Sequence, residues 1–275
     1  MPIRTFTATD FRCLAEVEFE PDPEFSLIVG PNASGKTSIL EGLAYLGRGR
    51  SFRRAGTTEL VRHGTEEFVL FARVADGDHE TRLGARNGRA GLEVRVDGVA
   101  GGGAAALAAA LPLQVIDPDV HDLVAGAPDE RRRYLDWIAF HVEHGYLEAW
   151  RRFRRVLRQR NAALRADAAP ATLAGWTTEF VAAAERLDTG RRRALQAVLP
   201  ALEVATDQLL GEAVRFSYEP GWNPDKGLAA VLDENASRER QAGATQYGAH
   251  RADLKLTRET RRARAIVSRG QQKLL

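Results

Sequence analysis

Two glycines, a lysine and a threonine fall in Gly30-Pro31-Asn32-Ala33-Ser34-Gly35-Lys36-Thr37 with the spacing G-x-x-x-x-G-K-[ST]. That spacing suits phosphate chemistry. Glycines remove side-chain obstruction where a loop must wrap closely around phosphate oxygens. Successive backbone N–H groups can then point inward as an anion nest, and a helix starting at the loop turns its positive end toward the same oxygens. Lys36 is placed to neutralise the β and γ phosphates and Thr37 to ligate magnesium. The pattern predicts that Gly30, Pro31, Asn32, Ala33, Ser34, Gly35, Lys36 and Thr37 hold a nucleoside triphosphate, ATP with Mg2+. No guanine-reading N-K-x-D motif occurs in the chain.

Such a loop needs a strand before it and a helix after it. Phe25-Ser26-Leu27-Ile28-Val29 is a short apolar run ending at a glycine, the pattern of a buried strand. Ile39, Leu40, Leu43 and Leu46 follow at helical spacing. Ile3–Thr9, Val17–Phe19, Phe68–Val74, Thr81–Leu83 and Leu92–Val96 read as further strands, with turns at Asp76-Gly77 and Asp97-Gly98. Leu113–Ile116 reads as another core strand. Past Gly126 the text becomes helical. Pro128 opens one helix; Tyr146, Trp150, Phe153, Leu157 and Leu164 share one face of a second. Trp176–Leu199 and Ala201–Leu210 continue the pattern, with a break expected at Pro200. Strands return at Val214–Tyr218 and Leu254–Thr257. The expected fold class is α/β, a P-loop NTPase with an inserted, mostly helical lobe: 1–125 with 243–275 as one lobe, 126–242 as the other.

Composition limits the function classes. At 275 residues, 44% of them hydrophobic and with a net charge of +2, the chain has core enough for one large or two modest domains. Cys13 is the only cysteine, so no intrachain disulfide and no four-cysteine zinc site is expected. With no long apolar run and no export signal, a cytoplasmic setting is expected. Charge is unevenly placed: from Arg131 to Arg165 ten arginines face only Asp136, Glu143 and Glu148. Clustered positive charge favours a polyanion partner.

The loop's Gly-Pro-Asn opening resembles the ABC-type ATPases that act on DNA, the Rad50, SMC and RecF group. Several further segments are similar to the RecF family. They include Asp10-Phe11-Arg12, Gly49-Arg50-Ser51-Phe52-Arg53, Leu111-Pro112-Leu113-Gln114 before Asp117-Pro118-Asp119, and Glu130 through Trp137. Arg158-Gln159-Arg160-Asn161, Gly248-Ala249-His250-Arg251-Ala252-Asp253-Leu254 and the closing Ser268-Arg269-Gly270-Gln271-Gln272 complete the series. The resemblance implies an ABC ATPase head, here without long coiled-coil arms. It implies that Ser268 and Gly270 form the signature that contacts the γ-phosphate of a second copy, and that Gln114 approaches magnesium and the attacking water. It further implies DNA as partner (single-stranded and duplex junctions), an ATP-dependent homodimer, RecR and RecO as co-workers, and help in loading RecA at single-strand gaps. Such proteins hydrolyse ATP slowly. The family continues past the signature to an acidic Walker B strand that this sequence does not reach, so the chain is expected to be a fragment that binds nucleotide without hydrolysing it.

Arg50, Arg53 and Arg54, just after the loop's helix, are candidates for DNA backbone contact. Without a base-reading motif, binding is expected to depend on backbone and salt. His250 and Arg12 are candidates for a place near the nucleotide or the dimer seam. His141 and His144, three apart, have no third metal ligand in view. The competing readings are an ABC-type ATPase of other purpose, anti-phage or overcoming-lysogeny, and a non-hydrolysing DNA-binding fragment.

Overall fold

The computed structural model describes residues 1–117, 122–211, 213–258 and 261–262. Its backbone separates into two compact units, Met1–Ile116 and Asp117–Leu275.

The first unit is built on a six-stranded antiparallel sheet. Its strands are β1 (Ile3–Phe11), β2 (Leu14–Phe19), β3 (Glu67–Asp76), β4 (His79–Gly88), β5 (Gly91–Val96) and β6 (Val99–Ala100), in the spatial order β2-β1-β3-β4-β5-β6. Period-two alternation decides which face is covered: Phe68, Leu70, Ala72 and Val74 of β3 all point inward and are fully buried. Phe6, Ala8 and Phe11 of β1 join them, with Tyr45 and Leu46 from α1 (Lys36–Arg48) and Leu107 from α3 (Gly103–Ala110). The strands run longer than the apolar text alone suggested, because pairing extends them through polar residues such as Arg86 and Asn87. At Asp97-Gly98 both φ angles are positive, 51° and 84°, between paired Val96 and Val99, as a two-residue hairpin turn requires.

Two expected core strands are not strands. Phe25–Val29 and Leu113–Ile116 carry no strand assignment. Phe25, Leu27 and Val29 are 75%, 72% and 76% exposed, and Ile116 is 77% exposed. Apolar sequence supplies the side chains of a buried strand but not its ladder partner, and neither segment pairs with a strand among the described residues.

The second unit holds α4 (Asp122–Ala125), α5 (Pro128–Val142), α6 (Tyr146–Arg165) and α7 (Pro170–Leu210). After them come β7 (Arg215–Glu219), α8 (Leu228–Glu234), α9 (Ala236–Ala242), a 3-10 turn at Ala249–Arg251, β8 (Asp253–Arg258) and β9 (Arg261–Arg262). Phe153, Phe180, Ala184 and Leu187 form its main core, joined by Leu228 and Ala249. A second cluster, Leu135, Leu195, Val214, Leu254 and Leu256, lies against the small sheet β7-β8-β9. β8, which the sequence groups with the first lobe, thus pairs with β7 in the second unit. Pro200 does not end a helix: α7 runs through it for 41 residues. Its ring faces solvent, as do Gln196 and Ala197, so water can take the carbonyl that loses its helical bond.

Candidate nucleotide-binding site

The glycine loop leads directly into α1. Gly35 is its N-cap in a left-handed conformation, φ 92°, and no side chain caps the helix. The first backbone N–H groups of α1 are therefore not claimed by a capping side chain. A Cβ on Gly35 would meet Leu14 Cδ2 at 2.9 Å and Cys13 Sγ at 3.3 Å. The loop thus lies flat against the start of β2 only because this residue is glycine. Lys36 Nζ donates to the carbonyls of Gly30 at 2.8 Å and Pro31 at 2.7 Å. Two of its three N–H groups hold the loop in shape. Thr37 is exposed beside it.

One flank of this helix start is an open cavity of about 690 Å³, lined by Arg12, Cys13, Ser38, Glu59, Val61, Arg62 and His63. Its wall is made by tying the β1–β2 turn to the segment after α2 (Thr57–Leu60). Arg12 N donates to Leu60 O at 2.7 Å, Arg62 N donates to Asp10 O at 2.8 Å, and Phe11 bridges to Val61. Beneath it lies Glu41, fully buried on α1. Arg12 forks onto its carboxylate, Nε to Oε2 at 2.9 Å and Nη2 to Oε1 at 2.7 Å. Ser51 Oγ donates to the same carboxylate and Arg53 Nη1 approaches it at 3.7 Å. The Glu41 hydrogen bond holds the Arg12 guanidinium above its ordinary pKa, so it is a permanent cation.

Residues 2–275 match the family described as RecF/RecN/SMC N terminal domain. The chain is 42% identical over 279 residues to the DNA replication and repair protein RecF of Chromohalobacter salexigens, covering 100% of this chain and 77% of that one. It is 40% identical to the protein of that name from Azotobacter vinelandii, covering 76% of it. The chain belongs to the RecF family. Its fold is similar to the structure titled recombination mediator protein RecF-ATP in RecFOR pathway, with a TM-score of 0.87 at 22% identity over 99% of this chain and 77% of that one. The Smc head domain of Pyrococcus furiosus, solved with the C-terminal domain of ScpA, gives a TM-score of 0.51 at 14% identity over 100% of this chain and 77% of that one. The fold is that of an ABC-ATPase head carrying a helical lobe.

In this RecF-family chain the expected site residues fall at several separate places. Gly30 to Gly35 run as one loop, and Lys36 and Thr37 open α1 directly after it. Gln114 stands apart: its Oε1 accepts from Arg48 Nη2 at 3.2 Å in the last turn of α1, whereas the phosphate loop meets the first. A helix of this length separates its two ends by about 18 Å. Ser268 and Gly270 lie outside the described residues. Of the DNA candidates, Arg50, Arg53 and Arg54 are exposed, and Arg53 is also tied to the Glu41 cluster. His250 is held inside the second unit, its Nε2 3.0 Å from Thr245 O. His141 packs edge-on against Trp137 and Phe140. Sequence reasoning missed Glu41 and His63. An acidic residue amid the apolar positions of α1 was the available signal for Glu41; nothing local marks His63, which joins the cavity lining through the ties of Arg62 to Asp10 and of Val61 to Phe11.

Proposed function

We propose that this chain is an ATP-binding, DNA-acting head of recombinational repair. Gly30–Thr37 grip the phosphates, Lys36 balances the β and γ charge, and Thr37 ligates Mg2+. The flanking cavity at Arg12, Cys13, Val61 and His63 takes the nucleoside end. The observation that carries the reading is the loop itself: an uncapped helix start, a left-handed Gly35 against Leu14, and Lys36 tied across to Gly30 and Pro31. Relatives at 42% and 40% identity named for DNA replication and repair give the biological setting.

From that setting come the finer assignments. Two copies close on ATP, with Ser268 and Gly270 of one reaching the γ-phosphate held by the other; 1–125 contribute to the ATPase lobe and 126–242 to the second lobe. RecR and RecO work with it in placing RecA at single-strand gaps. Gln114, whose Oε1 accepts from Arg48 Nη2, is the residue that would approach a bound Mg2+ and the attacking water. Bound Mg2+ would draw charge from the phosphate oxygens, while the chain's own groups position them. Calorimetry of Mg-ATP with wild type and Lys36→Ala tests the core of the reading. At least tenfold weaker binding in the variant is expected; equal heats in both would sink it.

A further inference from the structure

The arginines that cluster between Arg131 and Arg165 in the sequence divide in space. On α5, Arg131 pairs with Asp253 at 2.7 Å, Arg132 donates to Ala252 O at 2.8 Å, and Arg133 meets Asp129 and Glu130. Beyond that stretch, on α7, Arg191, Arg192 and Arg193 meet Asp136, Asp188 and Glu143. On α6, Arg160 is buried against Glu239 at 2.7 Å and Arg152 reaches Glu179 on α7 at 2.6 Å. Arg151, Arg154, Arg155, Arg158 and Arg165 are different: all are exposed, and none forms an ion pair among the described residues.

These five lie on one face. At ~3.6 residues per turn they fall within an arc of roughly 100°, and from first to last they run for about 21 Å. The opposite face of α6, Tyr146, Ala149, Phe153, Val156 and Leu164, is buried, so the row stands on a fixed support. Arg154 is laid over the Trp150 ring, 4.7 Å from its centroid, which orders that guanidinium. The acids near the row are Glu148 in the first turn of α6, Glu179, held by Arg152, and Asp167, held by Arg240 at 2.8 Å.

We propose that this row is a phosphate-tracking surface for a nucleic-acid backbone. It rests on the DNA-acting role stated above and gives that role a place. A DNA strand offers one phosphate per ~3.4 Å of axis, so a row of this length spans about six. Guanidinium forks match phosphate oxygens. A protein partner would need an apolar centre to the interface, and this face carries only Ala162 between its arginines. No side chain on it is placed to read bases, so the contact is with backbone and carries no sequence preference.

The test is fluorescence anisotropy with labelled single-stranded and duplex oligonucleotides between about 50 and 200 mM salt, comparing the whole chain with Arg151→Gln/Arg155→Gln/Arg158→Gln. Arg133→Gln/Arg193→Gln, in which the removed arginines are already paired, is the control. The row variant should bind at least tenfold more weakly, with a slope of log affinity against log salt shallower by about two to three. The control should track wild type, and Mg-ATP binding should be unchanged in both, which certifies folding. A row variant with wild-type slope and affinity overturns the surface while leaving DNA binding standing. Unchanged DNA binding with lost capture of polyglutamate assigns the row to an acidic protein and overturns it too. Wild type that ignores DNA but still binds ATP overturns the DNA-acting role along with it.

Discussion

Individual side chains here are defined by what burial leaves them to bond with. Glu41 has no water to solvate it, so its carboxylate collects Arg12, Ser51 and Arg53, and through them joins the phosphate-loop helix to two loops on its flank. His250 shows the opposite outcome. Its ring lies near Phe153 and Phe180, Nε2 faces Thr245 O, and Nδ1 is buried without a hydrogen-bond partner among the described residues. Burial, the largest cause, pushes its pKa down to about 4. The folded chain therefore binds fewer protons than the unfolded chain at intermediate pH. The stability this contributes is complete above the unfolded value of about 6.5 and is lost as pH falls toward 4. The unfolding free energy from denaturant curves should drop across that window by up to about 3 kcal/mol from this group, and His250→Gln should flatten the drop. Parallel pH profiles for the two proteins would refute it.

Between elements, the strongest ties are polar bonds that span long stretches of sequence. Arg160 on α6 meets Glu239 on α9, with Nη1 donating to Thr245 Oγ1 at 2.7 Å, while Glu239 Oε1 accepts from Gln246 N at 2.6 Å. Asn161 Oδ1 accepts from the backbone of Thr245 at 2.8 Å. Both charged side chains are almost wholly buried, 3% and 0% exposed. Removing one leaves an unpaired charge indoors, so Glu239→Leu should cost about 3–5 kcal/mol in urea unfolding. Arg160→Met combined with Glu239→Leu should recover much of that loss; a double variant as weak as the single one would contradict the account. Nearby, Gly221 permits the 220–224 loop to approach the 248–252 segment, since a Cβ there would lie 2.4 Å from Gly248 O. The residues of this junction were visible in the sequence as Arg158-Gln159-Arg160-Asn161 and Gly248-Ala249-His250, but their meeting was not.

At the scale of the molecule, each unit buries its own core, and a distinct apolar surface remains outside. Phe25, Leu27 and Val29 alternate in the manner of a strand yet are exposed, with Leu40 on α1 also 51% exposed. Leu27→Thr should therefore change the thermal stability of this chain by no more than ~0.5 kcal/mol, the usual range for surface positions. A loss of 2 kcal/mol or more in calorimetry would show that the segment is packed.

The sequence alone determined the glycine loop leading into a helix, five of the six strands of the first sheet, the helical stretch from Pro128 to Leu210, and the family. The elements are encoded locally, in spacing and periodicity, and local steric rules read them directly, whereas the family is carried by the resemblance of its ordered motifs. Tertiary structure alone decided that Phe25–Val29 is not in a sheet, that α7 passes through Pro200, and that Gln114 sits by Arg48. It also decided which arginines of a uniformly basic stretch are neutralised and which are left facing water. A strand needs a partner and an ion pair needs its acid, and where those partners stand is settled by how distant segments pack.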